Sequence, residues 1–289
     1  MCNERTANED ESFLRGKNFT RRTFGVMSAA ALAACATSPA DAKSVTESDV
    51  TIKTADGVCD AHFVHPSSGK HPGVLVWPDA LGMRPAFRTM GRRLAESGYA
   101  VLTVNQFYRE AKAPYLPEGA NFADPATRDK VMKTMGAFTT DLQLRDAPAF
   151  IDWLDAQAAV DTTKKLGTTG YCMGGALTMR TAAVRPERVG AGASFHGGGL
   201  ATDKPDSPHL LVPQIKAKYL VAVAENDDAA EPHAKDVLRA AFAAANNPAE
   251  IEVYPAQHGW CAIDSQVFDQ VQADRAWARL LATFKAALA

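Results

Sequence analysis

Hydrophobic residues fall along this chain in two alternating patterns. Runs such as PGVLVWPD (72–79), YAVLTVNQF (99–107), LGTTGY (166–171), VGAGASFHG (189–197), KYLVAVAEN (218–226) and EIEVYP (250–255) are short and mostly apolar. That is the pattern of strands buried on both faces. Between them lie stretches with apolar residues three and four apart. RPAFRTMGRRLAESG predicts an amphipathic helix closed by Gly98, and further helices are expected over 127–158, 173–185, 232–246 and 265–287. DVTIKTADG and CDAHFVHP read as an opening hairpin turning at Asp56-Gly57, and 112–125 as a loop. Buried strands alternating with helices predict an α/β fold, a mostly parallel central sheet with helices on both faces. Ligands of such sheets bind beyond the carboxyl ends of the strands.

The first 44 residues do not share this pattern. A polar, charged start leads to TRRTFGVMSAAALAAC and then ATSPADAKS. The twin arginines Arg21 and Arg22, Phe24 and the Ala-rich run read as an export signal of the twin-arginine (Tat) type, which implies the Tat machinery as partner and a periplasmic destination. The run is too short for a lasting membrane span. Ala40-Asp41-Ala42 fits a small-x-small cleavage site, leaving Lys43 first. Leu32-Ala33-Ala34-Cys35 resembles a lipobox, leaving a lipidated Cys35. A cytosolic tail is the competing reading. Residues 45–289 show no linker or repeat and are expected to form one catalytic domain.

Composition mainly excludes. With 289 residues, 46% of them hydrophobic, the chain can bury a large core; a net charge of −2 announces no nucleic-acid partner. The five cysteines (2, 35, 59, 172 and 261) show neither a CxxC pair nor metal-ligand spacing, so no disulfide framework and no metal are expected. HExxH, the P-loop pattern and a strand-borne GxGxxG are absent, and Gly192-Ala193-Ser194-Phe195-His196 fails GxSxG at its last position.

What remains is Gly170-Tyr171-Cys172-Met173-Gly174-Gly175, a nucleophile elbow with cysteine in place of serine. The glycines let strand and helix pass closely at a strained turn. Cys172 falls at a helix N-terminus, where the macrodipole favours thiolate, and the Met173 N–H is an oxyanion donor. Asp227 and Asp228 follow one predicted strand and His258 follows the last. The order nucleophile, acid, histidine is that of the α/β-hydrolases. Either aspartate can supply the acid on this reading, with Asp228 also placed to cap the helix near 232. Phe195 and His196, at a strand end, are candidate pocket-lining residues.

VLVWPDALG, GYAVLTVNQFYRE, GYCMGG, ENDD and QHGW, in this order, resemble the dienelactone hydrolases, and the resemblance covers 45–289. It implies the α/β-hydrolase fold and a Cys-His-Asp triad, with Cys172 as nucleophile, Asp227 as acid and His258 as base. It further implies Asp79, one methylene shorter than the family's glutamate, as the group that helps ionise the cysteine, and the Ala80 N–H as second oxyanion donor. Arg109 matches an arginine that binds substrate carboxylate. A second such arginine is expected four residues after the histidine, where Ala262 stands. The implied activity is hydrolysis of small esters or lactones, carboxylated ones among them, through a thioester and without a cofactor. A thiol-based redox protein using Cys172 and a non-catalytic binding domain are the rival classes.

Overall fold

The computed structural model describes residues 4–16 and 42–288. The twin arginines, the lipobox around Cys35 and the site at Ala40-Asp41 lie outside them. Helix α1 (Glu4–Gly16) comes before the first strand, which starts at Val45. Strands β1 (Val45–Thr54) and β2 (Gly57–Pro66) form the expected hairpin. Thr54 pairs with Gly57, so the turn is Ala55-Asp56, one residue earlier than expected, and Gly57 takes the positive φ of 145°.

Then follow β3 (Gly73–Trp77), α2 (Pro85–Glu96), β4 (Ala100–Val104), α3 (Pro125–Ala137), α4 (Thr140–Asp155), β5 (Leu166–Tyr171), α5 (Met173–Val184), β6 (Val189–Phe195), β7 (Lys218–Ala224), α6 (Glu225–Ala230), α7 (Ala234–Ala244), β8 (Glu250–Tyr254) and α8 (Gln270–Leu288). A 3₁₀ segment, Pro208–Gln214, lies between β6 and β7. The eight strands form one sheet in the order β1-β2-β4-β3-β5-β6-β7-β8. The pairs β1/β2 and β2/β4 are antiparallel and the rest parallel. This is the α/β-hydrolase architecture, as the sequence led us to expect.

Alternation along each strand assigns the two faces. Val74 and Val76 of β3 pack with α2 and α8 on one side, among Phe87, Leu94, Leu280 and Phe284. Leu75 and Trp77 point the other way, onto α4 through Phe150 and Leu154. Helices α5 and α7 cover the same second face further along, around Met179, Leu238 and Phe242. Buried on both faces, the central strands carry few polar groups; the Trp77 indole donates to Thr181 Oγ1 at 3.1 Å and Thr168 Oγ1 to the Leu75 carbonyl at 3.2 Å, whereas the Thr103 and Ser194 hydroxyls are buried without a hydrogen bond.

One expectation is corrected. The stretch 127–158 is two helices, not one. The backbone leaves the helical region at Phe138 (φ −86°, ψ 73°), whose ring is buried against Phe107, and α4 restarts after Thr139. Gly136 before this point and Thr139-Thr140-Asp141 after it are the stop and start signals.

Candidate active site

The carboxyl ends of β3, β5, β6 and β8 converge on one cavity of about 420 Å³, lined among others by Asp79, Ala80, Arg84, Cys172, His196 and His258. At the end of β5 the chain turns sharply into α5 with Cys172 at φ 53° and ψ −120°. A side chain rarely holds that conformation, and surrounding contacts must impose it. The Cys172 N–H lies 3.1 Å from the Phe195 carbonyl and 3.2 Å from His196 Nδ1, both from the end of β6. Glycine is required on either side for space. A Cβ on Gly170 would stand 2.1 Å from the Gly174 carbonyl oxygen, and one on Gly174 would stand 2.4 Å from that of Trp77. The elbow is close-packed backbone, and Cys172 is itself buried.

His258 follows β8 and is buried, with Nδ1 2.7 Å from Asp227 Oδ2. Its backbone N–H donates to the Asn226 side chain at 2.8 Å, which fixes the loop beside the acid. Burial alone would lower the His258 pKa. The Asp227 carboxylate and the Cys172 sulfur, which is in hydrogen-bonding reach, outweigh it and raise the value to about 10. Burial works against the charge on Asp227 in the same way, but the imidazole beside it holds the carboxyl down at about 2. Asp228 faces away and pairs with Lys235 at 2.6 Å. The two aspartates that the sequence left open are thus separated by their partners. Asp228 makes no side-chain cap, because the chain first forms the short helix α6.

A family model, the dienelactone hydrolase family, matches residues 59–288. The chain belongs to the dienelactone hydrolase family. That membership makes it a hydrolase. A candidate carboxymethylenebutenolidase of Escherichia coli K12 is 28% identical over 224 residues, 76% of this chain and 78% of that one. Carboxymethylenebutenolidase 1 of Cupriavidus pinatubonensis is 25% identical over 221 residues, 76% of this chain and 88% of its own. Among solved structures, a candidate dienelactone hydrolase from Klebsiella pneumoniae superposes with a TM-score of 0.73. It is 24% identical and covers 84% of this chain and 99% of its own.

Two residues expected to line the pocket of this dienelactone hydrolase-family chain lie elsewhere. Arg109 is not in the cavity lining. Its guanidinium bonds both oxygens of buried Asp146 at 2.8 and 2.7 Å and reaches Asp56 Oδ2 at 2.6 Å, tying the β1–β2 turn to α4. The sequence could not tell which way the loop after β4 turns its side chains. Phe195 stacks on Tyr171, with centroids 5.2 Å apart, inside the core under α2 and α8. His196, the next residue, does line the cavity. It takes a positive φ of 40° and sits edge-on to His258 at 4.9 Å. Burial, with His258 adding to it, depresses the His196 pKa to about 3, so this ring is neutral.

Asp79 and Ala80 fall in the cavity as expected, with a partner the sequence reading missed. Arg84, just before α2, donates to Asp79 from Nη1 and Nη2 at 2.6 and 2.9 Å, and to Asp264 from Nε and the shared Nη2 at 2.7 and 2.8 Å. Burial raises the Asp79 pKa against the pull of Arg84. Ala262 also lines the cavity, as a small apolar wall. Helix α1 reaches the rim: Asp10 and Glu11 are in the lining, and Glu9 accepts from the Asn226 amide at 3.1 Å. Burial raises the Asp10 pKa to about 7, opposed by His258 and supported by Asp227 and Glu9. Among the described residues, no cluster of three or more His, Cys, Asp and Glu side chains is placed to hold a metal ion, and no helix is long and apolar enough to cross a membrane.

Proposed function

We propose that this protein hydrolyses ester or lactone bonds of small molecules by covalent catalysis at Cys172. The observation that carries the reading is the linked series Cys172, His258 and Asp227, with Cys172 held at a strained elbow and the His258–Asp227 bond at 2.7 Å. The raised His258 pKa supports a resting state in which the imidazolium faces the sulfur as a thiolate, the nucleophilic form. The thiolate adds to the substrate carbonyl, and the oxyanion is stabilised by the N–H groups of Ala80 and Met173. The intermediate collapses, the carbon–oxygen bond breaks, and the departing alkoxide takes the proton from His258. A thioester remains on Cys172. Neutral His258, its tautomer fixed by Asp227, then removes a proton from water as the water attacks the thioester. Hydrolysis releases the acid and restores the ion pair.

The cavity volume supports small substrates. Arg84, the arginine in the lining, is bridged by two carboxylates, and Arg109 lies outside. These commitments favour uncharged esters and lactones over carboxylated ones. The twin arginines support export in the folded state by the Tat route.

The test is a panel of neutral aryl esters, neutral lactones and carboxylated lactones, with mass spectrometry of rapidly quenched enzyme. A thioester on the peptide containing Cys172 is expected, and Cys172→Ala should lose several orders of magnitude in turnover. Wild-type-like turnover by Cys172→Ala would refute the covalent reading.

A further inference from the structure

We infer that Gln106 is a positioning residue that aims the Ala80 N–H at the reacting carbonyl. The inference rests on the role of Ala80 proposed above and adds the device that sets its direction. The Gln106 side chain is buried just beyond the end of β4. Its amide nitrogen donates to the Asp79 carbonyl at 2.9 Å and lies 3.2 Å from the Pro78 carbonyl. Both neighbours are acceptors, so the NH₂ must be the end that faces them.

The Asp79 carbonyl and the Ala80 N–H belong to one peptide unit. A trans peptide is planar, and its C=O and N–H point in opposite directions. The sheet order supplies the absolute direction. Strand β4 lies on one side of β3 and β5 on the other. Gln106 therefore draws the Asp79 carbonyl toward the β4 side, and the Ala80 N–H faces the β5 side, where Cys172 stands. Two further bonds brace the same loop. The Gly82 N–H donates to the Asp79 carbonyl at 2.9 Å, and the Tyr115 hydroxyl donates to the Ala80 carbonyl at 2.6 Å. The Gly82 bond closes a local turn, whereas Gln106 fixes that turn relative to the neighbouring strand.

Gln106 is not the residue that folding alone would select here. Its Oε1 is buried without a hydrogen-bond partner, a net cost to the folded state. A leucine of similar size avoids that cost and fills the same space, at the loss of the bond to Asp79.

The experiment compares Gln106→Leu with wild type in three measurements. Hydrolysis of a neutral aryl ester should lose about 10- to 100-fold in kcat with KM nearly unchanged, because the oxyanion contact forms only in the transition state. Affinity for a substrate-like aldehyde, which forms a tetrahedral adduct with the thiol, should fall by a similar factor. Alkylation of Cys172 by iodoacetamide, which creates no oxyanion, should keep its rate. Gln106→Met is a second variant of suitable volume if the first is poorly soluble. Unchanged kcat and aldehyde affinity would overturn the inference, as would a parallel loss of alkylation, which marks damage to the fold. If wild type forms no aldehyde adduct and Cys172→Ala still turns over, the covalent reading fails instead.

Discussion

Replacing Asp227 with asparagine keeps the shape of the side chain and removes its charge. In the wild type, the His258 pKa stands at about 10 against an ordinary 6.5. At about 1.36 kcal/mol per unit, that gap corresponds to roughly 5 kcal/mol, shared between Asp227 and the Cys172 sulfur. Asp227→Asn should therefore cost about 2–5 kcal/mol where His258 is charged. The sign follows from the raised histidine pKa. Its stabilising contribution is fully present below pH 6.5 and is lost as the pH rises through 10. On the acid side, the depressed carboxyl contributes above its ordinary 3.8 and loses that contribution as the pH falls through 2. The stability gap between wild type and variant should thus be widest between about pH 4 and 6.5 and shrink toward pH 10. Urea unfolding at pH 5 and pH 9.5 measures it, and NMR titration of His258 should show the pKa falling. Turnover should drop by about 10- to 150-fold, the worth of a charge-assisted bond of 1.5–3 kcal/mol. An equal gap at both pH values, or a His258 titration that does not move, would refute the ion-pair account.

Arg109→Ala should leave KM for carboxylated and neutral lactones alike. It should lower stability by about 3–5 kcal/mol, because the Asp146 charge is left buried with no cation and only the Tyr108 hydroxyl donating to it, and the melting midpoint by at least about 6 °C; a selective rise in KM for carboxylated substrates would return Arg109 to the site. For helix α1, burial of Asp10 makes docking easiest when its carboxyl is protonated. Its raised pKa penalises docking increasingly from pH 3.8 up to about 7, by about tenfold per pH unit at most. His258, Asp227 and Glu9 act on its charge, and Glu11, Asp79, Arg84 and Asp264 line the same cavity. A chain beginning at Ala42 should therefore exceed the full chain in kcat/KM, by more at pH 5.5 than at pH 8. Asp10→Asn should flatten that difference, and equal activity of the two chains at both pH values would show that α1 does not obstruct the cavity.

The parts of the site that the sequence disclosed are those bound to strand ends. Cys172 was legible because glycines bracket a polar turn between an apolar run and a helix, and His258 because it follows the last such run. Asp227 needed the three-dimensional partner to separate it from Asp228, since two adjacent acids look alike in a string. Arg84 and Gln106 escaped notice. One reads as an ordinary residue before Pro85, the other as the polar end of a strand, and what matters in each is the atom it reaches across the sheet. Arg109 was misplaced for the same reason in reverse: a position after a strand does not say which side of the loop the guanidinium takes. The single long helix expected over 127–158 failed because Gly136 and the threonines after it outweigh the periodicity around them.

The strand order also sets when chemistry becomes available as the chain is made. Synthesis reaches Asp79 and Ala80 first, the cysteine later, and the histidine only near the end, after β8 has been added at the far edge of the sheet. On the mechanism proposed above, the thiol stands without its base until β8 joins β7 in parallel, a pairing that must wait for long-range contacts. A growing or truncated chain would then carry the proposed nucleophile without a complete ester-cleaving centre. Turnover serves as an internal signal that the last parallel strand has been seated.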